Sequence, residues 1–433
     1  MSAADSPSSM ESKLEALECH FTWDLDASRS KLSFVRDLLE DMGNEEGFSW
    51  LGQKYNLLGF LHHLLDQDEE ARRLFCRATE AFRQMRNEVS DEGPWLVVNY
   101  GNLAWLSFLM GEPAQSRGYL ATVHRLRTEY PSPSEDEPHP EICAEKAWTL
   151  MKFGKEKKLK AVDLFQRAIR MQPDRVEWQT SRVIALSSDF KWNIKDLGAD
   201  IIGKMRVAKE HDPDNTYLAA FYLENRAACG EDVEDEARQL AQKILQKPVG
   251  TYSGMNTLLR LYRQYISMDE AIHLAEEALQ RHPESRFLKR AAAVCYKRRI
   301  FDERRNEEPK MIERAITLCK EVIALYPESS LEMQMNLAQI CAKQNPAEAE
   351  QMFNQLLKQD LEAVDTQMLY NCYAKHFYFI RNDYRRSVEN HMKAAEIPQP
   401  SSYRQNSIRE LRKARDKNLM RREIDEFLET LPQ

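Results

Sequence analysis

The segment AVDLFQRAIRMQP, Ala161 to Pro173, decides the fold. Small, aromatic and small residues stand at Ala161, Phe165 and Ala168, spaced four and then three apart, so all three fall on one face of a helix. Alanine permits a close helix crossing, the ring fills the space beside it, and Pro173 ends the helix. The same pattern stands at Ala71, Phe75 and Ala78, at Ala271, Ala275 and Ala278 followed by Pro283, and at Ala315, Cys319 and Val322 followed by Pro327. Weaker copies are Ser116/Leu120/Val123, Ala237/Ala241/Ile244 and Ala349/Phe353/Leu356. A partner helix precedes several of them at a constant offset: Leu58-Gly59 before Ala71, and Leu258, Leu259 and Tyr262 before Ala271.

A helix pair recurring at about 34 residues with these small and large positions is the tetratricopeptide repeat. The expected fold is all-α, a tetratricopeptide-repeat superhelix or α-solenoid with a positively charged central tunnel or concave groove. Residues 1–12 are expected to be disordered, and 13–130 to form an N-terminal helical block. A loop, PSPSEDEPHP, covers 131–140. A middle repeat block over 141–250, a C-terminal block over 251–400 and a C-terminal helix over 401–433 complete the division. Two irregularities are expected inside it, at Lys191 to Asp200 and at an insert, FDERRNEEPK, Phe301 to Lys310. The tail Arg404 to Glu429 reads as helix.

Composition agrees. Only 14 glycines and 17 prolines occur in 433 residues, too few for the turns of a sheet-rich fold, and 42% hydrophobic residues suffice for a core. The apolar stretch from Asn102 to Met110 is too short to span a bilayer, and the N-terminus has neither the basic nor the apolar region of a signal peptide. The eight cysteines, Cys19, Cys76, Cys143, Cys229, Cys295, Cys319, Cys341 and Cys372, have no CxxC or zinc-like spacing and read as small buried hydrophobes in a reducing compartment. No metal or cofactor site is expected. The chain has no P-loop, GxGxxG, HExxH or GxSxG, so no catalysis is expected either; His62 and His63 are adjacent and point apart on a helix.

A binding face is the better expectation. In a helix-pair solenoid the first helices line the concave surface. Arg260 and Arg263 share that side in one repeat, Arg290 and Lys297 in the next, and Trp148 and Lys152 share a face further upstream. The run Arg286 to Arg305 is the most basic of the chain, although the net charge is −8. Cations facing one another in a channel call for a polyanion, and an aromatic beside them suits a base, whose stacking contributes roughly 1–3 kcal/mol. Nucleic acid and a peptide are both open on this pattern. A receptor for C-terminal carboxylates would need paired Lys and Asn across three first helices, and that set is missing.

Cys19-His20-Phe21-Thr22-Trp23-Asp24-Leu25 resembles the N-terminal motif of the interferon-induced proteins with tetratricopeptide repeats. Asn56-Leu57-Leu58, Gln67 to Ala71, Gly101 to Trp105, Met110-Gly111, Pro140-Glu141-Ile142, Pro213-Asp214-Asn215 with Tyr217, Tyr262-Arg263 and Cys295-Tyr296-Lys297 continue the likeness over roughly residues 12 to 420. The resemblance implies a cytoplasmic antiviral effector. Its partner would be single-stranded RNA, held in a basic tunnel by a 5′-triphosphate or a cap lacking 2′-O-methylation, so that translation is blocked. The alternative it implies is a protein-interaction scaffold in innate immune signalling, with family members or translation and signalling proteins as partners. By position, Trp148 would stack on the cap base and Lys152 would contact 5′ phosphates. Ile184, Asn215 and Tyr217 would shape the pocket, Arg260 and Arg263 would line the tunnel, and Arg36 matches an arginine of an early helix. Ser188 stands where the family has an arginine, Lys158 where it has a tyrosine, and Arg290-Ala291 where it has His-Gln; Lys158 and Arg290 would restore positive charge. Relative to longer members the chain is expected to lack the last repeat pair, which supports self-association.

Overall fold

The computed structural model describes residues 7–42, 49–85, 92–190, 194–302 and 309–431. Their regular structure is helical, with no strand among the described residues. Contacts divide the chain into two compact units, residues 1–27 with 32–267 and residues 28–31 with 268–433.

In the first unit consecutive helices pack as hairpins: Leu51–Leu64 on Asp68–Met85, Val97–Leu109 on Pro113–Glu129, Pro140–Leu150 on Lys155–Met171, and Val176–Phe190 on Ile194–His211. Thr216–Ala228 packs on both Glu234–Leu245 and Met255–Tyr265. The second unit continues with Met268–Arg281, Arg286–Ile300, Pro309–Leu325 and Leu331–Cys341, and ends in Ala363–His376, Tyr384–Glu396, Ser402–Asp416 and Arg421–Thr430. The division at Ser267 and Met268 falls inside a repeat, so the helix expected to open the 251–400 block belongs to the first unit.

The repeat signature is the core. Ala71, Phe75 and Ala78, Ala161, Phe165 and Ala168, and Ala271, Ala275 and Ala278 are all buried. A Cβ on Gly59 would meet the Phe75 ring at 2.7 Å, so this crossing tolerates only glycine. The N-terminal motif is structural. Cys19 and His20 are buried, His20 bonds Thr149 Oγ1 at 3.1 Å, and Phe21 stacks on Trp105 at 5.9 Å. Burial holds the His20 imidazole down at about 3, against its Asn102 hydrogen bond, so it is neutral. His62 and His63 are satisfied by Gln67 and Asp68, each at 2.7 Å.

Several expectations change. Pro7–Glu15 is helical, because Met10 and Leu14 are buried and tie it down; only residues 1–6 of the expected disordered stretch lie outside the described residues. The expected irregularity at Lys191 to Asp200 is helical from Ile194, with residues 191–193 outside the description. Residues 303–308 of the insert, with Arg304 and Arg305 of the basic run, lie outside it as well. The tail is two helices rather than one, broken where Asn418 (φ 59°) and Met420 (φ 47°) adopt left-handed conformations. Of the cysteines, Cys76, on Asp68–Met85, and Cys229, in the turn that ends Thr216–Ala228, are exposed; all eight are free.

A buried polar chain crosses the first unit. Thr79 Oγ1 donates to Asn99 Oδ1 at 2.6 Å, Asn99 Nδ2 to Asn56 Oδ1 at 2.8 Å, and Asn56 Nδ2 to Glu145 Oε1 at 2.8 Å. Burial raises the Glu145 carboxyl to about 8, the Asn56 bond opposing and Glu141 adding to the rise. The folded chain therefore keeps a proton that the unfolded chain releases near 4.5, and this group's contribution to stability falls as pH rises between about 4.5 and 8. Glu145→Gln retains the acceptor without the ionisation. Thermal unfolding should show the variant melting about 2–4 °C above wild type at pH 8, with the gap closing towards pH 5.

Candidate nucleic-acid interface

Glu177, Thr180, Ser181 and Ile184 lie at i, i+3, i+4 and i+7 of the helix Val176–Phe190, so they share one face. That face forms one wall of a cavity of about 350 Å³ in the first unit. Asn215 and Tyr217, at the start of Thr216–Ala228, form a second wall. Lys247, Gly250, Tyr252 and Ser253 come from the following loop, and Trp50 closes a further side. The loop is seated on the chain below it: Thr251 N donates to Asp41 O at 3.0 Å and Thr251 Oγ1 to Leu38 O at 3.0 Å. A Cβ on Gly250 would lie 2.6 Å from Asp41 O, so the approach needs glycine.

The cavity has aromatic walls and polar points. Tyr217 stacks on Tyr252 with centroids 4.6 Å apart, and on Phe221 edge-on at 5.0 Å. The Thr180 hydroxyl, in a residue only 4% exposed, has no hydrogen-bond partner among the described residues. Three carboxylates line the cavity. Asp214 pairs with Lys243 at 2.7 Å, Asp212 accepts from Asn215 Nδ2 at 2.9 Å, and Glu177 lies 3.9 Å from Arg175.

Lys152 stands behind the Tyr252 wall. Its ammonium lies 4.0 Å from the Trp148 ring centroid and donates to the Tyr252 hydroxyl. Trp148 and Lys152 thus share a face, as their spacing implies. Burial pushes the Lys152 ammonium down to about 7, with the Lys158 charge adding to it, and burial lowers Lys158 as well. Burial likewise raises the Tyr217 hydroxyl to about 12. A lysine poised near neutrality beside a phenol can take up a proton when an anion approaches, because the anion restores the solvation that burial removed.

The remaining expected residues divide. Ile184 is a buried wall residue packed with Leu218, Phe221 and Met205. Asn215 caps a helix, its Oδ1 accepting from Leu218 N at 2.9 Å, while also lining the cavity. Arg260 makes a two-pronged pair with the buried Glu224, the Nη2 to Oε2 arm at 2.5 Å. Burial works against the Arg260 charge, but Glu224 outweighs it and holds the guanidinium above its usual range. Arg36 is buried against Asp37 at 2.9 Å, and Arg263 is half-buried on the same helix as Arg260. Arg290 and Lys297 belong to the second unit: Arg290 lies 5.3 Å from the Tyr326 ring, and Lys297 donates to Asn336 Oδ1. The Ser188 side chain lies outside the described residues, and Ala291 is buried.

One expectation is corrected. Trp148 offers no open face to a base: it is 1% exposed, with Trp50 stacked on it at 5.8 Å and 17°. Trp50, Tyr252, Thr180, Ser181 and Lys247 were not expected at the site. A lone aromatic in a turn, as at Trp50 and Tyr252, was the available signal.

Fold and site together define a tetratricopeptide-repeat protein with a polar, aromatic-walled cavity backed by a desolvated lysine. No family model matches the chain. It is 25% identical over 422 residues to human interferon-induced protein with tetratricopeptide repeats 2, covering 94% of this chain and 86% of that protein. It is 26% identical over 443 residues to the human antiviral innate immune response effector IFIT1, covering 96% and 89%. The solved human IFIT1 dimer with PPP-AAAA is similar over 95% of this chain and 91% of its own, with a TM-score of 0.66 at 25% identity. Over nearly its whole length the chain is similar to the interferon-induced proteins with tetratricopeptide repeats.

The Arg260–Glu224 pair gives a test of what this arginine does before any ligand binds. Arg260→Met leaves the Glu224 carboxylate buried and uncompensated, and denaturant unfolding should show a loss of about 3 kcal/mol. Arg260→Met/Glu224→Leu should recover most of it; equal losses in the single and double variants would make the pair energetically idle.

Proposed function

We propose that this chain is an antiviral effector of the interferon response that binds single-stranded RNA by its 5′ end in the first unit and so blocks translation of viral RNA. The observation that carries this is the cavity itself: it is walled by Tyr217, Tyr252 and Ile184, carries an unpartnered Thr180 hydroxyl, and has the Lys152 ammonium bonded to its Tyr252 wall. The likeness to IFIT1, solved with PPP-AAAA, supports the choice of ligand. In this reading Lys152, Lys158, Arg260 and Arg263 supply positive charge for phosphates, with Arg36 as a further candidate. Ile184, Asn215 and Tyr217 shape the pocket. The protein acts without catalysis and in the cytoplasm. Among the described residues no helix is long and apolar enough to cross a membrane.

The covered Trp148 favours a 5′-triphosphate over a cap. A cap base must displace the Trp50 indole before it can stack, whereas phosphates need only reach Lys152.

Fluorescence anisotropy with one short RNA carrying a 5′-triphosphate, a 5′-hydroxyl or a cap tests the reading. The triphosphate form should bind at least about tenfold tighter than the hydroxyl form, and weaken about tenfold or more from 50 to 200 mM salt as counterions are released. Lys152 is neutral above about pH 7 and charged below it, so affinity should rise severalfold from pH 8 to pH 6 in wild type and stay flat in Lys152→Met. Trp50→Ala should raise affinity for the capped form relative to the triphosphate. Equal, weak binding of all three forms, indifferent to both variants, would transfer the proposal to a protein-interaction scaffold.

A further inference from the structure

The second unit carries a pocket of about 390 Å³ lined by none of the residues of that cavity. It lies between the end of Ala363–His376, Tyr384–Glu396 and Ser402–Asp416. Its rim is aromatic. Phe379 is 65% exposed, the highest among the described large hydrophobic residues, and Tyr384 is 44% exposed. Both sit around a π-helical turn, Phe377–Arg381, that closes at Asn382 in a left-handed conformation (φ 51°). Such turns cost regular hydrogen bonding and recur at functional sites. Leaving a phenylalanine this open forfeits the burial that elsewhere stabilises the fold.

The floor is aliphatic, formed by Val388, Leu411, Ala414 and Leu419. Around it stand Lys375, Lys413 and Lys417 against one carboxylate, Glu410, which pairs with Lys413 at 3.0 Å. Lys375 and Lys417 have neither a hydrogen-bond nor an ion-pair partner for their ammonium groups among the described residues. His391, on the same pocket, is held neutral, since burial lowers it to about 4. The site therefore carries net positive charge around an apolar hole of the size that takes one or two large side chains.

We infer that this pocket docks an acidic peptide segment of a protein partner, with a bulky apolar side chain seated between Phe379 and Leu411 and flanking carboxylates on Lys375 and Lys417. Lysines and aromatics also suit single-stranded RNA, but the ring geometry argues against it. Tyr378 meets Phe379 and Tyr384 edge-on, each at 72°, so the rings offer no set of parallel platforms for successive bases. An aliphatic floor rewards a leucine or phenylalanine and gives a base no hydrogen bond.

The test is a display selection of random 12-residue peptides on the immobilised full chain, with the Phe379→Ala protein as the counter-target. The enriched peptides should carry Phe, Trp or Leu flanked by two or more Asp or Glu. Synthesised and titrated, they should lose at least tenfold in affinity against both Phe379→Ala and Lys375→Glu/Lys417→Glu, while binding of 5′-triphosphate RNA stays unchanged. All three side chains sit at the pocket's rim, and circular dichroism would verify that both variants fold. No enrichment over the counter-target, or enriched peptides without acidic residues, would overturn the inference. So would an RNA affinity that falls in Phe379→Ala while the peptides bind as before.

Discussion

Close helix crossing is the constraint on which the rest depends. Phe75, Phe165 and Phe353 are wholly buried, and at Phe75 the ring fills a crossing so close that a Cβ on Gly59 would meet it at 2.7 Å. A single helix hairpin has no second layer on which to bury its apolar face, so each repeat is stable only against its neighbours. This leaves hydrogen bonding to settle register. The chain Thr79–Asn99–Asn56–Glu145 runs across three successive hairpins, and every link is a side-chain bond that a slipped register would break.

The same packing creates the chemistry of the cavity. Lys152 follows the end of Pro140–Leu150, half-buried against Trp148 and the Tyr252 loop. Burial disfavours the charged ammonium, a cost that a nearby anion would offset. Arg260 has a different fate. Glu224 already satisfies it, so its charge is compensated before ligand arrives, and its first role is to hold Met255–Tyr265 against Thr216–Ala228. Two cations that look alike in sequence therefore differ in environment, because one has a carboxylate beside it and the other has an indole.

The two units present two kinds of surface. In the first, aromatics are enclosed around a polar cavity and the ammonium of Lys152 is desolvated. In the second, Phe379 and Tyr384 face outwards around an aliphatic hole with solvated lysines. The first arrangement suits a compact, highly charged end group, and the second a flexible segment that brings its own apolar anchor.

The repeat architecture was legible in sequence because its determinants are local. Alanine, aromatic and proline at fixed offsets act within one hairpin, and Ala161 to Pro173 alone specifies such a unit. The pairing of Trp148 with Lys152 was legible for the same reason, being one helical turn apart. What sequence left undecided depends on segments far apart in the chain. Trp50 meets Trp148 across nearly a hundred residues, Tyr252 meets Lys152 across a hundred, and Glu224 reaches Arg260 from another helix. The helix Pro7–Glu15 looked too polar to order because its anchors, Met10 and Leu14, stabilise it only through tertiary contacts. Local spacing determines which residues share a face. Tertiary packing decides whether that face stays open, because only the folded chain brings a distant ring or carboxylate to cover it.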